Sequence, residues 1–373
     1  MPTLGGTFSF GGGIDDSGRV AGAATLRGDK ISHAVVWDRQ RLMDLKAFGG
    51  PNAAANALND FDVVGGYAET SAAAPLGEDF CQDKSFKTCV AVAWRGTKSF
   101  KLPLLGGNNS EIFFAFNDAG LAVGTSETST RESTCPKPQV LQEMPVVWGP
   151  GPGDIRQLPI FPGDTDGAAL AINQQGTVVG ASGDCKGVFA NDHPARHMLL
   201  WHGGKPTRIG NVPGAPISIN DRDQVVGWYG TAASPRGFLW QNGSMKDLGL
   251  LHGDVGSKAF WINDAGQIVG DSVDAKGNYR AVVWLDGAWV DMNALVPKGT
   301  TLYLLAAYAI NLGGEVTGLG YDTKTKEVRG FVAIPDGGAF GPQTRQFPLT
   351  VSIPQAARER IRRFAAAMRR PIL

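Results

Sequence analysis

Ile262-Asn263-Asp264-Ala265-Gly266-Gln267-Ile268-Val269-Gly270 is the stretch on which the fold turns, because the chain repeats it from end to end. Leu58-Asn59-Asp60-Phe61-Asp62, Phe116-Asn117-Asp118-Ala119-Gly120 and Ile219-Asn220-Asp221-Arg222-Asp223 open in the same way. Ile172-Asn173-Gln174-Gln175-Gly176 and Ile310-Asn311-Leu312-Gly313-Gly314 are looser copies, and Ile14-Asp15-Asp16-Ser17-Gly18 is the first. Each leads into a short apolar run closed by glycine, at Gly22, Gly65, Gly124, Gly180, Gly227, Gly270 and Gly318. Asn-Asp-Ala-Gly suits a type I turn closed by a residue in the left-handed region, the three-residue hairpin loop. Asparagine bonds its own backbone two residues on, and glycine takes positive φ without a steric penalty. Asp62 and Asp223 replace that glycine, and aspartate tolerates the conformation. Each copy reads as a β-hairpin.

A third apolar run follows each hairpin and ends in tryptophan. His33-Ala34-Val35-Val36-Trp37 is one, and others end at Trp94, Trp148, Trp201, Trp240 and Trp284. The seventh, Gly330-Phe331-Val332-Ala333-Ile334, has isoleucine instead. A fourth run such as Ser244-Met245-Lys246-Asp247-Leu248-Gly249 completes the unit. Four strands per repeat, at a period of roughly 40–50 residues, mark propeller blades. The expected fold is all-β, a seven-bladed β-propeller over 1–343. Its repeats fall near 1–50, 51–107, 108–163, 164–214, 215–253, 254–299 and 300–343. Ala55 and Ala57, Ala169 and Ala171, Ala307 and Ala309 put small residues on the first strand, as a crowded inner strand requires. Residues 344–373 are expected to give a closing strand, from the alternation of Phe347, Leu349, Val351 and Ile353, then an Arg-rich helix or tail from Pro354. Met1-Pro2-Thr3-Leu4-Gly5-Gly6 matches the tail of a fourth strand, so a leader upstream of this sequence is expected.

The 51 glycines and modest charge fit many tight turns between buried strands. No apolar run is long enough to span a membrane as a helix. Formal net charge is zero, so no global field recruits nucleic acid. Arg358, Arg360, Arg362, Arg363, Arg369 and Arg370 nevertheless concentrate positive charge in the tail, where an anionic surface is a conceivable contact. Cys81 and Cys89 share one loop, while Cys135 and Cys185 occupy the equivalent loops of the next two repeats. With no Cys-x-x-Cys pair, two disulfides (81–89 and 135–185) are expected rather than a metal site, in an extracellular or periplasmic setting.

Ala-x-x-Ile-Asn-Asp-x-Gly-x-Val-Val-Gly, then (His/Arg)-(Ala/Gly)-Phe-Leu-Trp, then Met-x-Asp-Leu-Gly, resembles the HAF repeats of extracellular bacterial proteins. Ser32-His33-Ala34-Val35-Val36-Trp37, Arg236-Gly237-Phe238-Leu239-Trp240 and Ser244-Met245-Lys246-Asp247-Leu248-Gly249 carry the match, which spans residues 4–335. The resemblance implies architecture and location. It brings no activity.

Catalytic signatures are missing: there is no Gly-x-Ser-x-Gly elbow, P-loop or dinucleotide fingerprint, and no cofactor is expected. His193, His197 and His202 fall on ordinary repeat or loop positions, and a helical His-x-x-x-His site does not suit a strand. The repeat tryptophans suit packing between blades better than ligand stacking. The Asn-Asp turns offer too few carboxylates for calcium. For catalysis, Glu111, Asp164, Asp166 and Asp254 follow the links between repeats and are the candidates for a hydrolase or lyase acting on a saccharide or similar polymer. That enzyme is the alternative to the expected function, a non-enzymatic exported propeller that binds a ligand or partner. The gaps from Gly65 to Trp94, Gly124 to Trp148 and Gly180 to Trp201 are the longest, so insertions gather in the second–third strand loops of repeats two, three and four. Phe80, Asp83, Phe86, Arg131, Glu132, Lys186, Phe189 and Asp192 on those loops are the expected contacts for a glycan, envelope component or protein.

Overall fold

The computed structural model describes residues 1–39, 41–186, 194–336, 353–355, 357–359 and 361. Nearly all regular structure is β. Repeats two to six each form a separate four-stranded antiparallel sheet, built in chain order from the first strand outward. The second of these runs through Ser110–Phe116, Ala122–Arg131, Leu141–Trp148 and Ile155–Gln157. Repeats one and seven depart from the expected four-stranded plan. Leu302–Ile310, Val316–Asp322 and Val328–Ala333 join the four strands of repeat one in a single seven-stranded sheet, through one parallel pairing of Phe8 with Val328. The N-terminus lies along this junction. The Met1 ammonium donates to the Gly330 carbonyl at 2.7 Å, and Pro2 accepts the Trp37 indole N–H at 3.0 Å.

First strands of successive repeats touch in order, and Gly5–Ile14 touches both Leu302–Ile310 and Ala53–Leu58. Between sheets lie separate apolar clusters. Trp37, Trp94, Trp148 and Trp201 are fully buried in them. Indole N–H groups reach back to the preceding repeat, from Trp148 to Pro103 O at 2.9 Å and from Trp201 to Pro159 O at 2.7 Å. Ala55, Ala169 and Ala307 belong to these inter-sheet clusters as well.

The hairpin turns have the expected geometry. Gly266 N donates to Asn263 O at 2.9 Å with φ +82° at Gly266, and Asp62 and Asp223 hold φ 62° and 54° at the same place. The closing glycine has a steric cause. The first strand bulges beside it, so a Cβ on Gly270 would sit 1.9 Å from the Lys258 carbonyl oxygen. In repeat two this position is Gly66, not Gly65: Gly66 pairs with Ala55 and a Cβ there would lie 2.0 Å from Ala54 O. The tandem glycines hide the one-residue difference in the sequence.

Of the C-terminal segment, residues 355, 357–359 and 361 are helical. The expected closing strand at 344–352 and Arg360, Arg362, Arg363, Arg369 and Arg370 lie outside the described residues.

Candidate functional site

Two faces flank the strands, one carrying the Asn-Asp turns and the other the links between repeats. On the turn face the side chains build a ring. Each asparagine amide donates to the carbonyl of the next turn's equivalent residue: Asn59 to Asn117, Asn117 to Asn173 and Asn173 to Asn220, each at 3.1 Å. Asn220 to Asn263 (3.0 Å), Asn263 to Asn311 (2.8 Å) and Asn311 to Asp15 (3.0 Å) continue it. Asp15 has no amide to pass on; Arg19 instead pairs with Asp15 and with Asp62 across the gap. Outside this ring, Asp118, Asp221 and Asp264 accept backbone N–H bonds from Asp60, Gln174 and Asp221. A cavity of about 170 Å³ opens between the turns, walled by Ile14, Phe116, Ile172, Ile219, Ile262 and Trp261. Burial, with neighbouring carboxylates adding to it, pushes the Asp60 and Asp221 carboxyls up. Hydrogen bonding between neighbouring turns accounts for these aspartates.

The link face carries the elaborated loops, and here buried groups fasten three loops into one surface. Cys81–Cys89 closes the loop of repeat two, and Cys135–Cys185 ties repeat three to repeat four. Cys185 N also donates to Thr134 Oγ1 at 3.1 Å. Glu78, fully buried, reaches from the repeat-two loop to accept Val140 N and Leu141 N of repeat three, both at 2.9 Å. Burial, then the nearby Glu127, raises its pKa. Sequence reading missed Glu78, since nothing local distinguishes it from a solvated loop acid.

The expected contact residues divide. Phe86 is 48% exposed, and Arg131 and Lys186 are exposed. Asp83 and Glu132 are half-buried. Phe80 is a correction: it is 1% exposed and packs with Cys81 and Cys89 into the central cluster, because the disulfide folds its loop inward. Phe189, Asp192 and His193 lie outside the described residues.

The four candidate catalytic carboxylates take separate structural partners. Asp164 binds Ser182 Oγ at 2.5 Å and His197 Nδ1 at 2.7 Å. Asp254 binds Ser272 Oγ at 2.6 Å and Arg280 at 3.2 Å. Asp166 accepts Glu143 N at 2.9 Å, and burial pushes its carboxyl up to about 6. Glu111 is buried beside Asn56. None of the four lines the turn-face cavity. Asp166 also sits near Cys135 and Cys185, whose sulfurs are committed to each other.

No protein-family model and no curated protein sequence matches the chain. Solved structures do. The β-propeller domain of the trilobed protease from Pyrococcus furiosus matches with a TM-score of 0.49 and 13% identity, over 75% of this chain and 79% of that one. A puromycin-hydrolysing peptidase of Mycobacterium tuberculosis matches with a TM-score of 0.50 and 12% identity, over 88% of this chain and 54% of its own. The repeated four-stranded sheets, whose first strands touch one another in sequence, have the architecture of a β-propeller. At such identities the likeness is one of fold alone. The two disulfides fit a non-cytoplasmic, oxidising compartment, and no helix among the described residues is long and apolar enough to cross a membrane.

Proposed function

We propose that the chain is a closed, seven-bladed propeller of the HAF-repeat type, exported to the cell exterior or periplasm, and that it binds a ligand or partner through its link face. The fastening of the three loops carries this reading. Two disulfides and the buried Glu78 convert what would be independent insertions into one preorganised platform, and preorganisation lowers the entropic cost of recognition. Exposed Phe86, Arg131 and Lys186 stand on it. A glycan, an envelope component or a protein fits such a surface, with an aromatic ring for stacking and cations for polar or anionic groups. Closure of the array is supported by the sequential contacts of the first strands and by the asparagine ring.

The test is a binding screen of purified protein against glycans and envelope components, repeated with Phe86→Ser, Arg131→Glu and Lys186→Glu combined. These side chains are exposed, so the variant keeps its melting temperature while binding falls at least about tenfold. Unchanged binding would sink the platform reading.

A further inference from the structure

The turn-face cavity of about 170 Å³ takes lining residues from all seven repeats, and its rim and walls differ in chemistry. The rim position is the residue after each turn asparagine, or after Asp15 in repeat one. Asp16, Asp60, Asp118, Asp221 and Asp264 fill five of the seven places, with Gln174 and Leu312 in the others. Asp15 lines the cavity too, but Arg19 pairs with it. No lysine or arginine is among the lining residues. Asp16, Asp221 and Asp264 each commit Oδ1 to a neighbouring backbone N–H and leave Oδ2 without a hydrogen bond among the described residues. Burial, and then the like charges of Asp118 and Asp264, hold the Asp60 and Asp221 carboxyls up, and a bound cation relieves the second effect. A mouth lined by one sign of charge over low-dielectric walls concentrates counter-ions.

The walls add two features that the turns do not require. Two residues before the turn asparagine, or before Asp15, six repeats have a small residue: Gly13, Ala57, Ala115, Ala171, Ser218 and Ala309. Repeat six has Trp261 there, half-buried and lining the cavity. Packing between blades accounts for the small residues but not for an indole at this one place. Ser218, from the adjacent repeat, also lines the cavity and is 1% exposed. Its oxygen accepts Ile262 N at 3.4 Å, while its O–H has no acceptor among the described residues. A buried hydroxyl donor left this way is costly unless something binds it. One residue further from the turns, Phe114, Ile217, Phe260 and Tyr308 belong to an apolar cluster that draws on every repeat, so the floor is apolar.

This mixture discriminates among cations. A calcium ion wants roughly six or more oxygen ligands, and a primary ammonium has three donors to satisfy. The apolar walls meet neither demand, and the turn carbonyls are taken by asparagine amides. A quaternary ammonium needs no hydrogen bonds and is attracted to an indole face. In size, a cavity of about 150 Å³ holds a benzene-like guest, on the order of six non-hydrogen atoms.

We propose that the turn-face cavity binds a small quaternary ammonium carrying an oxygen on a short arm, with its methyl groups against Trp261 and the aliphatic walls, its charge under the ring of aspartates and its oxygen on the Ser218 hydroxyl. The site is independent of the link-face platform. The whole chain is titrated calorimetrically with choline, tetramethylammonium, ethanolamine and 3,3-dimethylbutan-1-ol, the last being choline with carbon in place of nitrogen. Both quaternary cations saturate one site, and the primary amine and the neutral alcohol bind at least about tenfold more weakly than choline. Trp261→Ala weakens both quaternary cations at least about tenfold, as does Asp16→Asn combined with Asp264→Asn. Asparagine keeps the Oδ1 acceptor that each neighbouring turn uses, so the second variant serves if the first folds poorly. Ser218→Ala weakens choline about fivefold and leaves tetramethylammonium unchanged. The variant altered at Phe86, Arg131 and Lys186 binds choline as the unaltered chain does. No saturation by either quaternary cation up to about 10 mM, or neutral alcohol or primary amine binding as well as choline, overturns the site. So does affinity indifferent to the folded Trp261 and aspartate variants, or choline binding lost in the link-face variant. Choline and tetramethylammonium responding alike to Ser218→Ala overturns the role of that hydroxyl.

Discussion

Asn220 tests the turn-face ring most directly, because its side chain does two separable jobs. Its Oδ1 accepts Arg222 N and Gln224 N, both at 3.0 Å, and so shapes its own turn. Its Nδ2 donates to Asn263 O at 3.0 Å and to Gln224 Oε1 at 2.8 Å, and so reaches the next blade. Asn220→Ala removes all four bonds from a residue 4% exposed. At a net ~1 kcal/mol each, with buried groups left unpaired, the loss is about 4 kcal/mol. Asn220→Asp keeps the two acceptor bonds and loses the donors, for about 2 kcal/mol. The chain supplies its own control in Asp15, whose carboxylate accepts Ser17 N at 3.1 Å and Arg19 N at 2.8 Å. Urea unfolding of the wild type and both variants, compared at equal m-values, measures the costs. If Asn220→Ala costs under about 1 kcal/mol, or Asn220→Asp costs as much as alanine, the ring does not couple the blades as argued.

Asp166 gives a pH signature. Burial raises its folded pKa to about 6 from 3.8, so its ionisation opposes folding and stability falls as pH climbs through that window. Asp166→Asn removes the loss: the variant gains up to about 3 kcal/mol above pH ~6 and matches wild type near pH ~4 in urea titrations. Gly270→Ala forces a Cβ against Lys258 O and costs about 3 kcal/mol or more by the same assay; a neutral result would show that the bulge relaxes freely. Replacing Cys135 and Cys185 by serine opens a link across a sequence separation of 50 and costs about 4 kcal/mol, whereas the Cys81–Cys89 pair, separated by 8, costs about 2–3. Thermal midpoints of the two double variants rank them.

Turn chemistry and the alternation of strands were legible in the sequence, because both are local. Asp62 and Asp223 could be placed in the left-handed region from their position alone. Which side of the first strand faces the axis could not be read, because the bulge shifts the alternation by one. Ala55 and Ala54 look alike in the sequence, yet the first packs in a cluster between two sheets and the second in the cluster that draws on every repeat. Phe80 was misread as a surface contact since the fold of an insertion depends on its tether rather than its composition. Glu78 was missed for the same reason. The disulfide pairing was legible because equivalent loops of adjacent repeats must lie side by side.

The asparagine ring has a direction, and its interruption gives the molecule one seam unlike the others. Six contacts between repeats are joined by neutral bonds from a buried asparagine side-chain amide to a main-chain carbonyl. Between the first and second blades the amide is absent, and a guanidinium joins Asp15 to an Asp62 whose side chain is 70% exposed. Exposed ion pairs weaken with salt and with acid, whereas neutral bonds do not. Rising ionic strength therefore loosens this array at one hinge line, fixed by a single Asn-to-Asp difference and lying one blade away from where the chain's N-terminus meets Gly330.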